Sequence, residues 1–178
     1  MSPDSVSWPM PCLSPTAGDG DSLTAVQTIL VASDTSSVRA EVAAVVGEPG
    51  VEVVEIVTGF AVPAAVHDHE PELLVVDLQM GNMGGMAVCL ELRLEESYGN
   101  LPHVPVLMLL DRRADVFLAR RSGAEGWVVK PLDPLRIRRA AKALLEGGTY
   151  HDESFLPVPA SVPGSGEPLA VASTTDRA

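Results

Sequence analysis

Cysteine is scarce in this chain: two among 178 residues, Cys12 in a proline-rich stretch and Cys89 in an amphipathic run. So few thiols in such different contexts exclude a disulfide framework and point to a reducing, cytoplasmic setting. Positive charge is scarce too, with 12 Lys and Arg against 24 Asp and Glu, a net charge of −12, and no Lys or Arg at all in residues 1–26. That balance argues against binding nucleic acid or an anionic membrane through bulk charge. Long apolar runs are missing as well. The run from Val104 to Leu110 falls far short of the ~20 residues that span a bilayer, and the N-terminus lacks the basic start and apolar core of a signal peptide. No direct membrane insertion is expected; a membrane would be reached only through a partner.

What the chain does have is a core. With 46% hydrophobic residues and a mean hydropathy of +0.20, wholesale disorder is excluded, and the length suits one domain with tails. Proline marks the tails: Pro3, Pro9, Pro11 and Pro15 at one end, Pro157, Pro159, Pro163 and Pro168 at the other. The expected division is a Pro/Ser/Gly-rich N-terminal tail over 1–26, a domain over 27–148 and a Pro-rich C-terminal tail over 149–178.

Within the domain, aliphatic and β-branched runs alternate with helical patterns, separated by turn signals such as Glu48-Pro49-Gly50 and Glu70-Pro71. The runs predict strands at Thr28–Ala32, Val51–Val57, Leu73–Val76, Val104–Leu110 and Gly126–Val129. Helical spacing predicts helices at Ser36–Gly47, Phe60–His67, Gly84–Ser97, Arg112–Ser122 and Pro134–Gly147. Strands apolar on both faces imply a doubly wound α/β fold, a five-stranded parallel sheet flanked by five helices.

In such sheets the ligand site lies beyond the carboxyl ends of the strands. Those ends carry Ser33 and Asp34, Asp77, Leu110 and Asp111, and Lys130, so acids and a lysine converge on one edge. This constellation resembles the CheY-like receiver domain of bacterial two-component response regulators. The resemblance covers 27–148 and rests on Ile29–Asp34 with Arg39, Leu73–Met80 with Gly85, Val104–Leu109, and Gly123–Pro131 with Trp127 and Lys130.

The resemblance implies that Asp77 accepts a phosphoryl group from a histidine kinase. Asp34, Asp77 and the backbone carbonyl of Gln79 would hold Mg²⁺, and Lys130 would steady the phosphoryl oxygens. The pattern also fails in places. Ser33 stands where a second acid is usual, which weakens metal binding, so the expected cofactor is none or a weakly bound Mg²⁺. Leu110 replaces the Thr or Ser whose hydroxyl would meet the phosphoryl group, and an apolar side chain there leaves that group without a donor. Leu110 also takes the volume into which the aromatic residue of the fifth strand, Trp127, would turn, so one fixed arrangement is expected. Asp111 occupies a position usually small, the segment from Leu110 to Lys130 is short by about two residues, and Gly81 replaces a proline.

Eight of the 11 basic residues in 27–148 fall on the last two helices: Arg112, Arg113, Arg120, Arg121, Arg136, Arg138, Arg139 and Lys142. The resemblance makes that region an output surface, and its charge suits an acidic protein partner better than nucleic acid. His67-Asp68-His69-Glu70 reads as a solvated segment rather than a metal site. Met80, Met83 and Met86 read as gap fillers, Cys89 as a buried residue, and Ser154–Pro159 as an apolar stretch able to dock in a partner groove. The expectation is an atypical orphan receiver, not an enzyme. It would act as a protein-interaction module or accessory subunit of a larger assembly, independently of phosphorylation. The alternative is a phosphorylatable regulator or phosphorelay intermediate.

Overall fold

The computed structural model describes residues 26–154. Six strands, β1 (Gln27–Ala32), β2 (Val51–Ile56), β3 (Leu73–Asp77), β4 (Val106–Leu110), β5 (Gly126–Val129) and β6 (Tyr150–His151), form one sheet in the order β2-β1-β3-β4-β5-β6. Every neighbouring pair is parallel. The helices are α1 (Ser36–Val46), α2 (Val62–His69), α3 (Gly85–Ser97), α4 (Val116–Ser122) and α5 (Pro134–Leu145).

The strand runs read as continuously apolar because both sheet faces are covered. Successive residues of β1, β3 and β4 enter opposite cores. Ile29, Val31, Val75 and Leu109 pack with Val42 of α1 and Ile137 of α5. Leu30, Ala32, Val76 and Leu110 pack with Val66 of α2, Val88 of α3 and Ala119 of α4. All five residues of β3 and all five of β4 are buried. Met80 and Met83 fill the second core with Met86 against it, and Cys89 is buried there, where desolvation raises the thiol pKa.

The five expected strands and helices are present, with shifted ends. Asp77 joins β3. Pro105 lies before β4 and contributes only its carbonyl, which accepts from Leu74 N–H. Single 3₁₀ turns, Gly59–Ala61 and Arg113–Asp115, precede α2 and α4. A methyl on Gly59 would lie 2.1 Å from the carbonyl oxygen of Met83, so only glycine lets the α2 entry approach the loop after β3. His67, Asp68 and His69 are exposed in the last turns of α2.

The sequence pattern marks five strands and a domain ending at residue 148. The structure adds β6, which continues the sheet beyond β5. Its cause is polar: Asp152, 2% exposed, is held by Arg136 at 2.7 Å, a contact that apolar periodicity cannot signal. Ser154–Pro159 lies outside the described residues except for Ser154 itself.

Candidate functional site

Three strand ends build the site. β3 ends on Asp77, a residue 1% exposed, and the parallel order puts β1 on one side of it and β4, then β5, on the other. From β1, the Ser33 hydroxyl donates to Asp77 Oδ2 at 3.1 Å and itself accepts from Thr35 N–H at 3.2 Å. Arg39 of α1 fixes that turn through the Ser33 carbonyl at 2.7 Å and Glu55 at 2.9 Å. From beyond β5, Lys130 Nζ donates to both Asp77 oxygens, at 3.0 and 2.9 Å. Gln79 N–H completes the set at 3.2 Å from Oδ1. α3 starts close by because Gly85 has no side chain; a methyl there would sit 2.6 Å from the Asp77 carbonyl oxygen.

Lys130 spans the end of β4. Its N–H donates to the Leu110 carbonyl at 2.7 Å, and its ammonium also reaches Asp111 at 2.9 Å. Burial alone would depress this ammonium, but the carboxylates of Asp77 and Asp111 outweigh it and hold the Lys130 pKa above its ordinary value. Asp111 entered the sequence reading as an oddity of the loop. Its place at a strand end signalled the pocket, but its pairing with Lys130 had no sequence signal.

Asp34, at the end of β1, makes its hydrogen bonds to other groups than Asp77 does. It is exposed, and its Oδ2 accepts from Gly81 N–H at 2.8 Å while Oδ1 accepts from the Thr35 hydroxyl at 3.2 Å. The Gly81 N–H is the main reason its pKa falls below the ordinary carboxylate value, against the opposing effect of desolvation. A proline at 81 would have no N–H to offer, so it is the glycine that gives Asp34 this partner. Ser33, neutral and bonded to Asp77, adds no charge. The oxygen donors at these strand ends are the carboxylates of Asp34, Asp77 and Asp111, each already holding a hydrogen-bond or ion-pair partner, and main-chain carbonyls. Among the described residues no three acidic, imidazole or thiol groups converge.

Leu110 is fully buried in the same core cluster as Trp127, which is 2% exposed. The indole is stacked on His151, ring centroids 4.0 Å apart and planes 11° apart, and the Arg120 guanidinium carbon lies 5.3 Å from its centroid. The eight basic residues differ in exposure and in partners. Arg112, Arg113, Arg120, Arg121, Arg138, Arg139 and Lys142 are exposed. Arg138 and Lys142 pair with Glu48 and Glu146, at 3.6 and 3.8 Å. Arg136 is drawn inward to Asp152, Ser154 and the carbonyls of Val129 and Pro131. Arg136 thus clamps the segment that follows α5.

Comparison with known proteins agrees with this architecture. The family model for the response regulator receiver domain matches residues 29–142. The DNA-binding response regulator MtrA of Mycolicibacterium paratuberculosis is 31% identical over 121 residues, 67% of this chain and 51% of that protein. The chain thus spans about half the length of the curated relatives it matches. The receiver domain of the putative response regulator NarL from Mycobacterium tuberculosis superposes with a TM-score of 0.59 at 28% identity, covering 68% of this chain and 97% of that one. Vibrio cholerae CheY4 shares the fold at 24% identity, TM-score 0.59, over 67% of this chain and 99% of that one. With the strand-end aspartate, lysine and parallel β2-β1-β3-β4-β5 order in place, the chain belongs to the response regulator receiver domain family.

Proposed function

We propose that this receiver domain works mainly as a protein-binding module held in one conformation, with phosphoryl transfer to Asp77 weak and poorly coupled to the rest of the fold. The observation that carries this reading is Leu110, fully buried and packed with Trp127 in one core. A leucine there supplies no donor to a phosphoryl group and leaves no space for an indole rearrangement. The domain is not assigned a catalytic activity of its own. Its partner is a protein, in keeping with a subunit of a larger assembly, and the exposed Arg112, Arg120 and Arg121 favour an acidic surface. Binding to nucleic acid is disfavoured by the net charge of −12. The DNA binding named for MtrA belongs to a protein about twice the length of the match.

The test is a titration with beryllofluoride and excess Mg²⁺, followed by Trp127 fluorescence in a Trp8→Phe background. A flat signal is the expected result. Saturable binding with a large change in Trp127 emission would sink the fixed-state reading.

Mg²⁺, when bound, neutralises charge at an acceptor carboxylate; Asp34, Asp77 and the Gln79 carbonyl are the groups that would hold it here. Binding there competes with the hydrogen bond that Asp34 accepts from Gly81 N–H, a bond to a charged group. Gly81 is not among the positive-φ glycines, and a β-carbon there meets only Asp34 Oδ2, at 3.5 Å. Gly81→Pro is therefore expected to tighten Mg²⁺ binding about tenfold, from a hydrogen bond worth ~1.5 kcal/mol. Calorimetric titration of both forms checks it, and equal affinities would show that Asp34 is not the limiting group.

One arrangement favours a second reading, a phosphorylatable regulator served by a histidine kinase. Ser33 and Lys130 both address Asp77. Hydroxylamine-sensitive phosphate on the wild type, absent from Asp77→Asn, after incubation with acetyl phosphate would support it.

A further inference from the structure

The open edge of β5 holds a second site, and the chain fills it with its own residues. Tyr150 N–H donates to the Glu125 carbonyl and Asp152 N–H to the Trp127 carbonyl, both at 3.2 Å, so the segment adds a parallel strand. Side chains supply the selectivity. The His151 ring lies flat on the Trp127 indole at 4.0 Å. Asp152 accepts from Val129 N–H at 3.0 Å and from Arg136 at 2.7 Å, and Arg136 also donates to the Ser154 hydroxyl at 3.0 Å. Backbone meets strand edge, ring meets ring, and a buried carboxylate meets a guanidinium. These are the parts of an extended-peptide site that reads a ring, then an aspartate, then a serine two residues on.

Nothing in that recognition uses the connection to α5. Glu146–Thr149 separate Leu145 from Tyr150. They include Gly147 at φ 78° and Gly148, folded back on the helix end through N–H bonds to Leu144 and Ala143 carbonyls. Straightened, four residues reach about 14 Å. Gly147 loses nothing by leaving its left-handed conformation. Every copy of the chain therefore carries both the site and its ligand, and an exchange between copies forms the same contacts again.

We infer that the β5 edge is a peptide-binding site that takes the Tyr150–Ser154 segment of a second copy as well as its own, giving a strand-exchanged dimer. The tethered segment competes at an effective concentration on the order of millimolar. The site therefore stays closed in dilute chain and opens to exchange when copies are concentrated together.

Two full-length variants separate site from ligand. Asp152→Ala disables the segment and leaves the site open; Arg136→Ala disables the site and frees the segment. Each alone is expected to be monomeric by light scattering, and their mixture to give a one-to-one heterodimer. A synthetic peptide of residues 149–154 should bind Asp152→Ala at least about tenfold more tightly than wild type, because the tethered competitor is gone, and should not bind the double variant. No heterodimer and no peptide binding, with wild-type helical content in both variants, would overturn the proposal. Peptide binding without a heterodimer would overturn the exchange and give the edge to a foreign segment. Should either variant not fold, the unmodified chain decides: dimers that grow with concentration and dissolve in excess peptide support exchange, and a monomer at millimolar concentration overturns it.

Discussion

Replacing Arg136 by alanine is expected to release β6 while the body of the fold stays intact. Asp152 is 2% exposed and its charge is met by one guanidinium and two N–H groups. Removing one partner of a buried pair costs about 3–5 kcal/mol, because the other charge stays desolvated. A core residue would have to bear that cost. A two-residue edge strand avoids it by undocking, which returns Asp152 to water. The loss therefore appears locally: hydrogen-exchange protection of the Val129, Tyr150 and Asp152 amides should fall by about two to three orders of magnitude, at ~1.4 kcal/mol per decade. Amides of β3 should change little. Unchanged protection at Asp152 would show that the ladder, not the ion pair, holds the strand.

Acid should reach the same undocked state in wild type. Burial opposes the Asp152 charge, but the Ser154 hydroxyl, the N–H groups of Val129 and Ser154, and Arg136 outweigh it, so its pKa lies below the ordinary carboxylate value. A depressed carboxylate contributes stability that is complete above the unfolded value, about 3.9, and is lost as pH falls through the folded one. Protection of β6 should hold down to about pH 4 and fall only below it, whereas Arg136→Ala should lack it even at pH 7.

The contrast between β3 and β6 explains which parts of the fold were legible in the sequence. Leu73–Val76 is apolar at every position because both faces are covered, and that run marks a strand whatever it pairs with. Tyr150–His151 has no such run. It is a strand because Arg136 lies 16 residues from Asp152 on an adjacent helix face, a coincidence that only tertiary structure creates. The site divides the same way. Asp77 and Lys130 stand at strand ends, and parallel topology alone brings such residues together. Where Asp34 points depends on one N–H 47 residues away. The basic residues looked like a single group because they are neighbours in sequence, yet Arg136 faces β6, Arg138 faces Glu48 of the α1 end, and Arg120 faces Trp127.

Lys130 offers the second large effect, and it bears on whether Asp77 is kept for chemistry or for structure. Asp77 has 2% of its side chain exposed and Lys130 has 22%. Lys130→Met keeps most of the stem and deletes the ammonium, leaving Asp77 with Ser33 and Gln79 N–H as donors but no opposite charge. The expected loss is about 3 kcal/mol, at the low end for a buried pair because the lysine keeps some contact with water. Asp77→Asn should cost only ~1 kcal/mol, since Lys130 still has Asp111 at 2.9 Å. In the double variant no buried charge is left unpaired, so it should be about 1–2 kcal/mol more stable than Lys130→Met alone. Urea denaturation of the four forms measures the cycle. The singles sum to about 4 kcal/mol and the double to about 1–2, so a coupling of about 2–3 kcal/mol would mean that the pair stabilises the fold without any phosphoryl group, which accounts for an aspartate and a lysine retained beside Leu110. Additive losses would mean that the pair adds nothing to stability, and a role in phosphoryl transfer would then be the remaining physical reason for an acid so deeply placed.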